Sequence, residues 1–511
     1  MKTTRTLSAA LLLAGTVLYA CSGDDNTVLP PPVLVPDAGL DATTAIPDGG
    51  GTEPLTDSGS NPPVDSATPA DGGGPPCSSL PGTLVYVESG DTQEALLKRL
   101  GRELRDTANI TLVFELTGSC TLTPNLYGGT PIAAGQVMDY IPSTAEDGAW
   151  TTASAERTCT IGAATAPDLG ISALYPASCQ LGGPDAGSSI GLIDGPIQAY
   201  TFIVPPSRFS SDGMAIYAEE AHAAFGAHKG AGQAAYQGVA EWNDPTQMFF
   251  RPTTKSTLVS TAFNIQLTAA TMAQGAVQEA ASSGVLGAVT AATSADAIGI
   301  LGDEVYDTQG RGKVNVLAFK AFGQNHAFFP DSTQTAFDKQ NIRDGHYSMW
   351  SPTVYITKVD GSGAPTNPAV RYITDTVTGQ SATPPDGGTA IDGIADVTAV
   401  GLTPGCAMQV TRVTPQDGAP ISAAADPPTC TCYFLSKIPG ATGVPANCTP
   451  CGDGGSCSGG QTCVRGFCEG PGAGIPPIPT DGSACDATIL NRCTDAQAVD
   501  KTGVVLGDAG P

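Results

Sequence analysis

The sequence predicts an α/β fold. Strand-like apolar runs alternate with helix-period segments from about residue 83 to 360, and one strand–helix–strand unit near the start of that region can be placed by residue. Composition sets the limits. Aromatic residues are 6% and charged residues 14%, while 63 glycines and 42 prolines interrupt the chain, so a helical bundle or coiled coil is excluded. At 511 residues the chain can hold two or three domains of roughly 150 residues each.

The anchoring unit begins with Thr83-Leu84-Val85-Tyr86-Val87, an apolar run that reads as a buried strand. Glu88 to Asp91 reads as a turn. Leu96, Leu97, Leu100 and Leu104 then recur at helical spacing, and Asp91 with Glu94 three residues later suggests a capping box. Asn109 to Leu116 supplies the second strand. In an open parallel sheet this order puts the loop after the first strand at the carboxyl edge, where ligands bind and helix N-termini can hold an anion.

Further strands are expected at Ile197–Val204, Met248–Arg251, Ala297–Leu301 and Thr353–Ile356. Helices are expected from Ala218 to Phe225 and around Leu258 and Phe263.

The N-terminus reads as a processing signal. Lys2 and Arg5 precede an apolar run from Leu7 to Ala20, about 14 residues and short of the roughly 20 a membrane-spanning helix needs. The run ends Leu18-Tyr19-Ala20-Cys21, which resembles a bacterial lipobox, with an ordinary signal peptide as the alternative. The resemblance implies acylation of Cys21, and Ser22 after it implies the outer rather than the inner membrane.

Residues 22–76 carry nine acidic residues with no Lys, Arg or aromatic residue, and are dominated by Pro, Asp, Gly and Thr. Such a segment buries too little apolar surface to offset its ordering entropy and is expected to be a disordered tether, on the order of 40 Å end to end. The expected organisation is a signal and lipobox over 1–21, the tether over 22–76, an α/β domain over 77–405, and a Cys-rich module and tail over 406–511.

Charge narrows the partners. With 49 Asp and Glu against 23 Lys and Arg, the net charge is −26, which argues against nucleic acid and against anionic lipid head groups. Of 15 cysteines, Cys21 is set aside for lipidation, and the fourteen others fit seven disulfides in an exported chain. Cys77, Cys120, Cys159 and Cys179 allow three pairings within the α/β domain. From Cys406 to Cys493 there are ten more; the run Cys448, Cys451, Cys457, Cys463 and Cys468 resembles a short EGF-like disulfide knot. Cys448 and Cys451 also have zinc-knuckle spacing, but no His lies nearby and disulfides are the expectation.

Five elements, in order, resemble the phosphate-type, class II periplasmic solute-binding proteins of ABC transporters. They are the turn Ser89-Gly90-Asp91-Thr92, the element Asp168-Leu169-Gly170-Ile171-Ser172, the signature Ala240-Glu241-Trp242-Asn243-Asp244-Pro245, the Arg-led loop Arg251 to Thr257, and the strand Ala297-Ile298-Gly299-Ile300. The resemblance spans about Thr83 to Asp360. It implies two lobes of the type II binding-protein fold, joined by crossings near Gln198–Val204 and near Ser351–Ile356.

It also implies ligand contacts from Ser89, Thr92, Asp168, Arg251, Lys255, Ser256 and Thr257. Arg251 would clamp two oxygens of an anion, and Asp168 would accept a proton from a protonated oxyanion. The loop lacks the family's Asp and Ser-Gly pair and carries Thr253, Thr254, Lys255 and Ser256 instead. A carboxylate ligand is therefore as fitting as phosphate.

No enzyme signature is present. His222, His228, His326 and His346 form no metal-ligand pair, and no nucleophile elbow or phosphate-binding Gly-Lys-Ser/Thr loop occurs. No cofactor or metal is expected. Two roles follow: a membrane-anchored solute-binding lipoprotein, with an ABC permease as partner, or a cell-surface adhesive lipoprotein that keeps the fold and meets a surface partner.

Overall fold

Leu96, Leu97, Leu100 and Leu104 are each at most 2% exposed, so the helix they define lies flat on the sheet that its flanking strands begin. The computed structural model describes residues 74–180, 183–184, 189–209, 213–226, 241–452, 455–474 and 501. Cys21, the tether up to residue 73 and the pair Cys485 and Cys493 lie outside the described residues, as does Ala240 of the Trp-Asn-Asp signature. The last tether residues, 74–76, are described, and Pro76 pairs with Thr160.

In the first lobe, β1 (Thr83–Gly90), α1 (Glu94–Thr107) and β2 (Ile110–Thr117) form the expected parallel unit, in register from Thr83 opposite Ile110 to Gly90 opposite Thr117. Helix α2 (Ser119–Gly128) follows, then β3 (Val137–Tyr140), β4 (Arg157–Thr160) and β5 (Leu169–Ser172). β5 is parallel to β1, with Ser89 opposite Ile171. The four cysteines of this lobe pair as Cys77–Cys159 and Cys120–Cys179. The first ties the entry of the lobe to β4, and the second ties α2 to the turn after β5.

β6 (Ile190–Val204) is longer than the sequence suggests, at 15 residues, because it serves both lobes. Ile190–Ala199 pairs with the first-lobe strand β13 described below; Tyr200–Ile203 pairs within the second lobe. The second lobe contains β7 (Ala215–Tyr217), α3 (Ala218–Gly226), β8 (Met248–Phe250), α4 (Ser256–Asn264), α5 (Ala269–Met272), β9 (Val277–Gln278) and α6 (Ser282–Ala291). It continues with β10 (Ile298–Gly302), α7 (Asp303–Val305), β11 (Asn315–Val316), β12 (Ala318–Lys320) and α8 (Gln340–Arg343).

The chain returns through Met349 to β13 (Trp350–Lys358), then α9 (Pro368–Val377) and α10 (Gly393–Ala399), which cover the first lobe. The two passages are therefore at Ala199–Tyr200 and Met349–Trp350, bonded to each other by the Tyr200 N–H donating to the Met349 carbonyl at 2.9 Å. The second passage falls just before the expected Ser351–Ile356, because β13 begins at Trp350 and belongs wholly to the first lobe.

One sheet runs through both lobes in the order β4-β3-β2-β1-β5-β13-β6-β10-β8-β9, with β11 also on β6. Two lobes, two adjacent crossings and this strand order make the type II binding-protein arrangement, followed by a disulfide-rich module. Each lobe has its own core, one around Val85, Leu100, Phe114 and Tyr372, the other around Phe202, Phe225, Phe250 and Phe319.

The C-terminal region begins inside this architecture. β14 (Val410–Arg412) and β15 (Ile421–Ala423) form a hairpin, and Met408 and Val410 join the second-lobe core. Beyond it lie α11 (Thr431–Lys437) and the two-stranded β16 (Thr462–Val464) and β17 (Phe467–Glu469). The cysteines pair as 406–430, 432–448, 451–463 and 457–468, the last two interleaved. Cys448 and Cys451 thus go to different partners. The module is held to the first lobe by Tyr433 and Arg465, both bonded to Asp392.

Candidate functional site

Five chain segments leave the carboxyl ends of their strands toward the space between the lobes. From the first lobe come Asp91–Gln93 after β1, Gly118 and Ser119 after β2, and Ala173 after β5. From the second come Arg251–Lys255 after β8, and Asp303 and Glu304 after β10. Their side chains meet across the cleft.

Asp91 is the centre of this meeting. The capping box expected of it does not form: Asp91 opens a one-turn 3-10 segment, and α1 begins only at Glu94 with no side-chain cap. Its carboxylate reaches the opposite lobe, where it accepts from Arg251 Nη2 and lies 3.0 Å from Lys255 Nζ. Arg251 is 2% exposed and is held from its own lobe by the Ser282 hydroxyl at 2.7 Å and the Ala280 carbonyl at 2.9 Å. Lys255 also donates to the Thr117 carbonyl at the end of β2, at 3.0 Å. Two cations of one lobe thus grip a carboxylate and a carbonyl of the other, which charge-assisted bonds favour.

The remaining expected residues divide. Thr92 joins the group, its hydroxyl donating to Gln198 Oε1 at 3.1 Å. Ser89 is fully buried at the end of β1 but turns back to the Gly90 carbonyl at 3.1 Å. Ser256 and Thr257 form the buried first turn of α4, and the Thr257 hydroxyl has no hydrogen-bond partner among the described residues.

Asp168 does not come to the cleft. It precedes β5, level with Tyr86 and several residues short of the carboxyl edge. Its two oxygens accept from the Tyr86 N–H at 3.0 Å and from Asn367 Nδ2 at 3.1 Å. The residue that leaves β5 at the cleft is Ala173, whose N–H donates to Ser119 Oγ at 2.9 Å. Asp168 therefore fixes strand β1 and the start of α9, and contributes no carboxylate to the cleft.

Two polar residues that the sequence reading passed over complete the cleft floor. Gln198 on β6 accepts from Thr92 and from Gln93 Nε2 (2.7 Å), and donates to Glu304 Oε1 at 3.1 Å. Glu304 is 4% exposed, and its second oxygen has no partner among the described residues. Burial pushes its pKa up to about 8, so the carboxyl is mainly protonated at neutral pH. The signal was present: Gln198 interrupts the apolar run Ile197–Val204, and Asp303-Glu304 ends the apolar β10.

Around this floor lies an interlobe groove of about 300 Å³, lined by Asp91, Thr92, Lys98, Arg251, Ser282 and Glu304 among others. Lys98 is paired with Glu94 at 2.7 Å and Glu156 at 2.9 Å. The groove thus presents cations already matched by acids, plus a protonated carboxyl.

Behind Glu304, Asp303, Asp307 and Asp331 come close enough together to hold a cation. The Lys339 ammonium lies among them, 2.6, 2.6 and 3.1 Å from one oxygen of each, and takes that role.

No family model matches the chain, and no curated protein matches it. Among solved structures it is similar to an ABC-type phosphate transport receptor from Vibrio cholerae, at 11% identity over 54% of this chain and 88% of that one (TM-score 0.34). It is similar also to PstS from Borrelia burgdorferi, at 13% identity over 63% of this chain and 98% of that one (TM-score 0.35). A third is the reduced OxyR regulatory domain from Pseudomonas aeruginosa, at 11% identity over 57% and 94% (TM-score 0.30).

Proposed function

We propose that the chain is a solute-binding protein of the cell envelope whose interlobe cleft takes a small oxyanion or carboxylate. The observation that carries this reading is the grip of Arg251 and Lys255 on the Asp91 carboxylate, since the cleft already holds an anion of that chemistry from within the chain. A solute would replace Asp91 between the two cations, with Thr92 and the first turn of α4 beside it. In this reading Cys21 is acylated, the protein is anchored at the outer membrane, and the tether over 22–76 sets its distance from the bilayer. Among the described residues no helix is long and apolar enough to cross a membrane. An ABC permease is the partner for transport.

Isothermal titration of phosphate, sulfate and succinate into the mature chain tests the proposal. Asp91→Asn removes the internal competitor and is expected to tighten anion binding at least tenfold. Arg251→Ala is expected to cost about 1.5–3 kcal/mol, the value of a hydrogen bond to a charged group. If neither the wild type nor Asp91→Asn binds any of the three anions, the solute-binding reading falls. The second reading, a surface lipoprotein that uses the fold without transport, then leads. One observation favours it: the Asp91 carboxylate already lies between both cleft cations.

A further inference from the structure

The β14–β15 loop carries a carboxylate into the junction of the lobes on different partners from those of Asp91. Asp417, at 1% exposure, accepts from Ser260 Oγ on α4 of the second lobe at 2.6 Å. Its other oxygen accepts from Ser178 Oγ at 2.7 Å and from the Tyr175 N–H at 3.3 Å, both in the first-lobe turn after β5. The Asp417 N–H in turn donates to Ser178 Oγ at 2.8 Å. Ser178 and Ser260 are themselves at most 2% exposed.

Three features mark this as a made site. No Lys or Arg lies within ion-pair distance of Asp417 among the described residues; its direct bonds come from hydroxyl and amide donors, the donor set that receives an anion, and Arg412 acts on it only through longer-range attraction. Those donors come from both lobes: Ser260 is one helical turn along α4 from Ser256, and Ser178 is next to Cys179, which a disulfide fixes to α2.

The loop is also shaped to reach the site. Gly418 has φ +71, and a Cβ there would lie 2.6 Å from the Phe263 carbonyl, so only glycine lets the turn press this close to the end of α4. Its base is held at the second crossing. Arg412 donates to the carbonyls of Ser348 and Trp350, and to Ala419 across the loop, with its guanidinium 4.5 Å from the Trp350 ring centroid.

We propose that Ser178, Ser260 and the Tyr175 N–H form a carboxylate-binding cradle between the lobes. Asp417 fills it from within the chain, and the β14–β15 loop is an autoinhibitory clasp that holds the lobes closed. A filled apolar junction would need no carboxylate, whose burial is costly unless donors are arranged for it. The arrangement here spends two serines and a backbone amide on one oxygen pair, and because the loop rests on the second lobe, the bonds from Ser178 and the Tyr175 N–H would break if the lobes separated. The clasp's role in gating solute rests on the solute-binding reading, but its hold on the lobes does not.

The test is hydrogen–deuterium exchange on the full mature chain, comparing wild type with Asp417→Ala and with Asp417→Asn, which keeps one acceptor oxygen. For Asp417→Ala, exchange in 175–179 and 256–264 is expected to accelerate at least tenfold, with β1 unchanged and Asp417→Asn intermediate. Small-angle scattering should show a larger radius of gyration for the Ala variant. Unchanged exchange in both segments overturns the clasp, and so does equal acceleration across the chain, which would mark Asp417 as ordinary core. Should Asp417→Ala fail to fold, Asp417→Asn and Ser260→Ala carry the same comparison. Adding 10 mM phosphate separates the two ideas. If the lobes open and phosphate gives no protection, the clasp stands and solute binding falls; protection of the opened variant supports both.

Discussion

Replacing Lys339 by Met is the sharpest test of how the second lobe is held under the cleft. The ammonium is 3% exposed and touches Asp303, Asp307 and Asp331, whose side chains are 2–5% exposed. Arg311 also bonds Asp307 and Asp331, at 2.6 and 3.0 Å, but does not reach Asp303. Met matches the stem in length and removes only the charge, leaving three buried carboxylates against one guanidinium. Breaking a buried pair by removing one partner costs about 3–5 kcal/mol. With an unfolding entropy of about 2.1 cal/mol/K per residue, some 400 cooperative residues convert this into a melting shift of roughly 4–6 °C.

The pH dependence separates charge from packing. Burial pushes Asp331 up to about 7 and raises Asp303, while Lys339 pulls both back down. A carboxylate with a raised folded pKa has its stabilisation in full below the unfolded value near 4, and loses it as pH rises through the folded value. Without Lys339 the folded values rise further, so the penalty is largest at pH 8 and shrinks toward pH 5 as the carboxylates take up protons. Calorimetric melting at both pH values is the assay. A shift below 1 °C at pH 8, or the same shift at pH 5, refutes the reasoning.

Glu304 gives a related prediction at the groove itself. Its folded pKa of about 8 means its contribution declines as pH rises from about 4.5 through 8, and Glu304→Gln mimics the protonated form. The variant should be more stable than wild type at pH 9 and show a flatter urea midpoint between pH 5 and 8; parallel pH profiles would contradict this. At the N-terminus, Cys21→Ser should move the protein from the membrane fraction to the soluble one, and an unchanged distribution would remove the lipid anchor.

The sequence was legible where signals are local. Leu96, Leu97, Leu100 and Leu104 announced α1 because one helical face meets the sheet. The expected strands at 248–251 and 297–301 formed because short apolar runs between turns have few other uses. The apolar pattern marks β6 only from residue 197, since Ile190–Pro196 mixes glycine and aspartate with its apolar residues, as a strand half-open to solvent does.

The site was less legible because its bonds are long in sequence. Thr92 and Glu304 each lie 106 residues from Gln198, and Asp91 lies 160 from Arg251. Asp91 looked like a helix cap because local spacing cannot show that a cation waits across a cleft. Asp168 looked like a ligand contact because motif order says nothing about which end of a strand a residue occupies.

The split of the first lobe around the second has a consequence for how the chain assembles. β5 and the first half of β6 have no shared neighbour until β13 arrives between them, after the whole second lobe has been made. Until then the inner edge of β5 is an unpaired strand edge, a template for pairing with another chain. The second lobe can complete its sheet from β6 to β9 while the first waits, so the later-synthesised lobe is the earlier to finish. The two first-lobe disulfides close loops of 82 and 59 residues within the waiting half. They hold β1, β2, β4 and β5 in reach of one another while that edge is bare, which makes oxidation a step in assembly as well as a source of final stability.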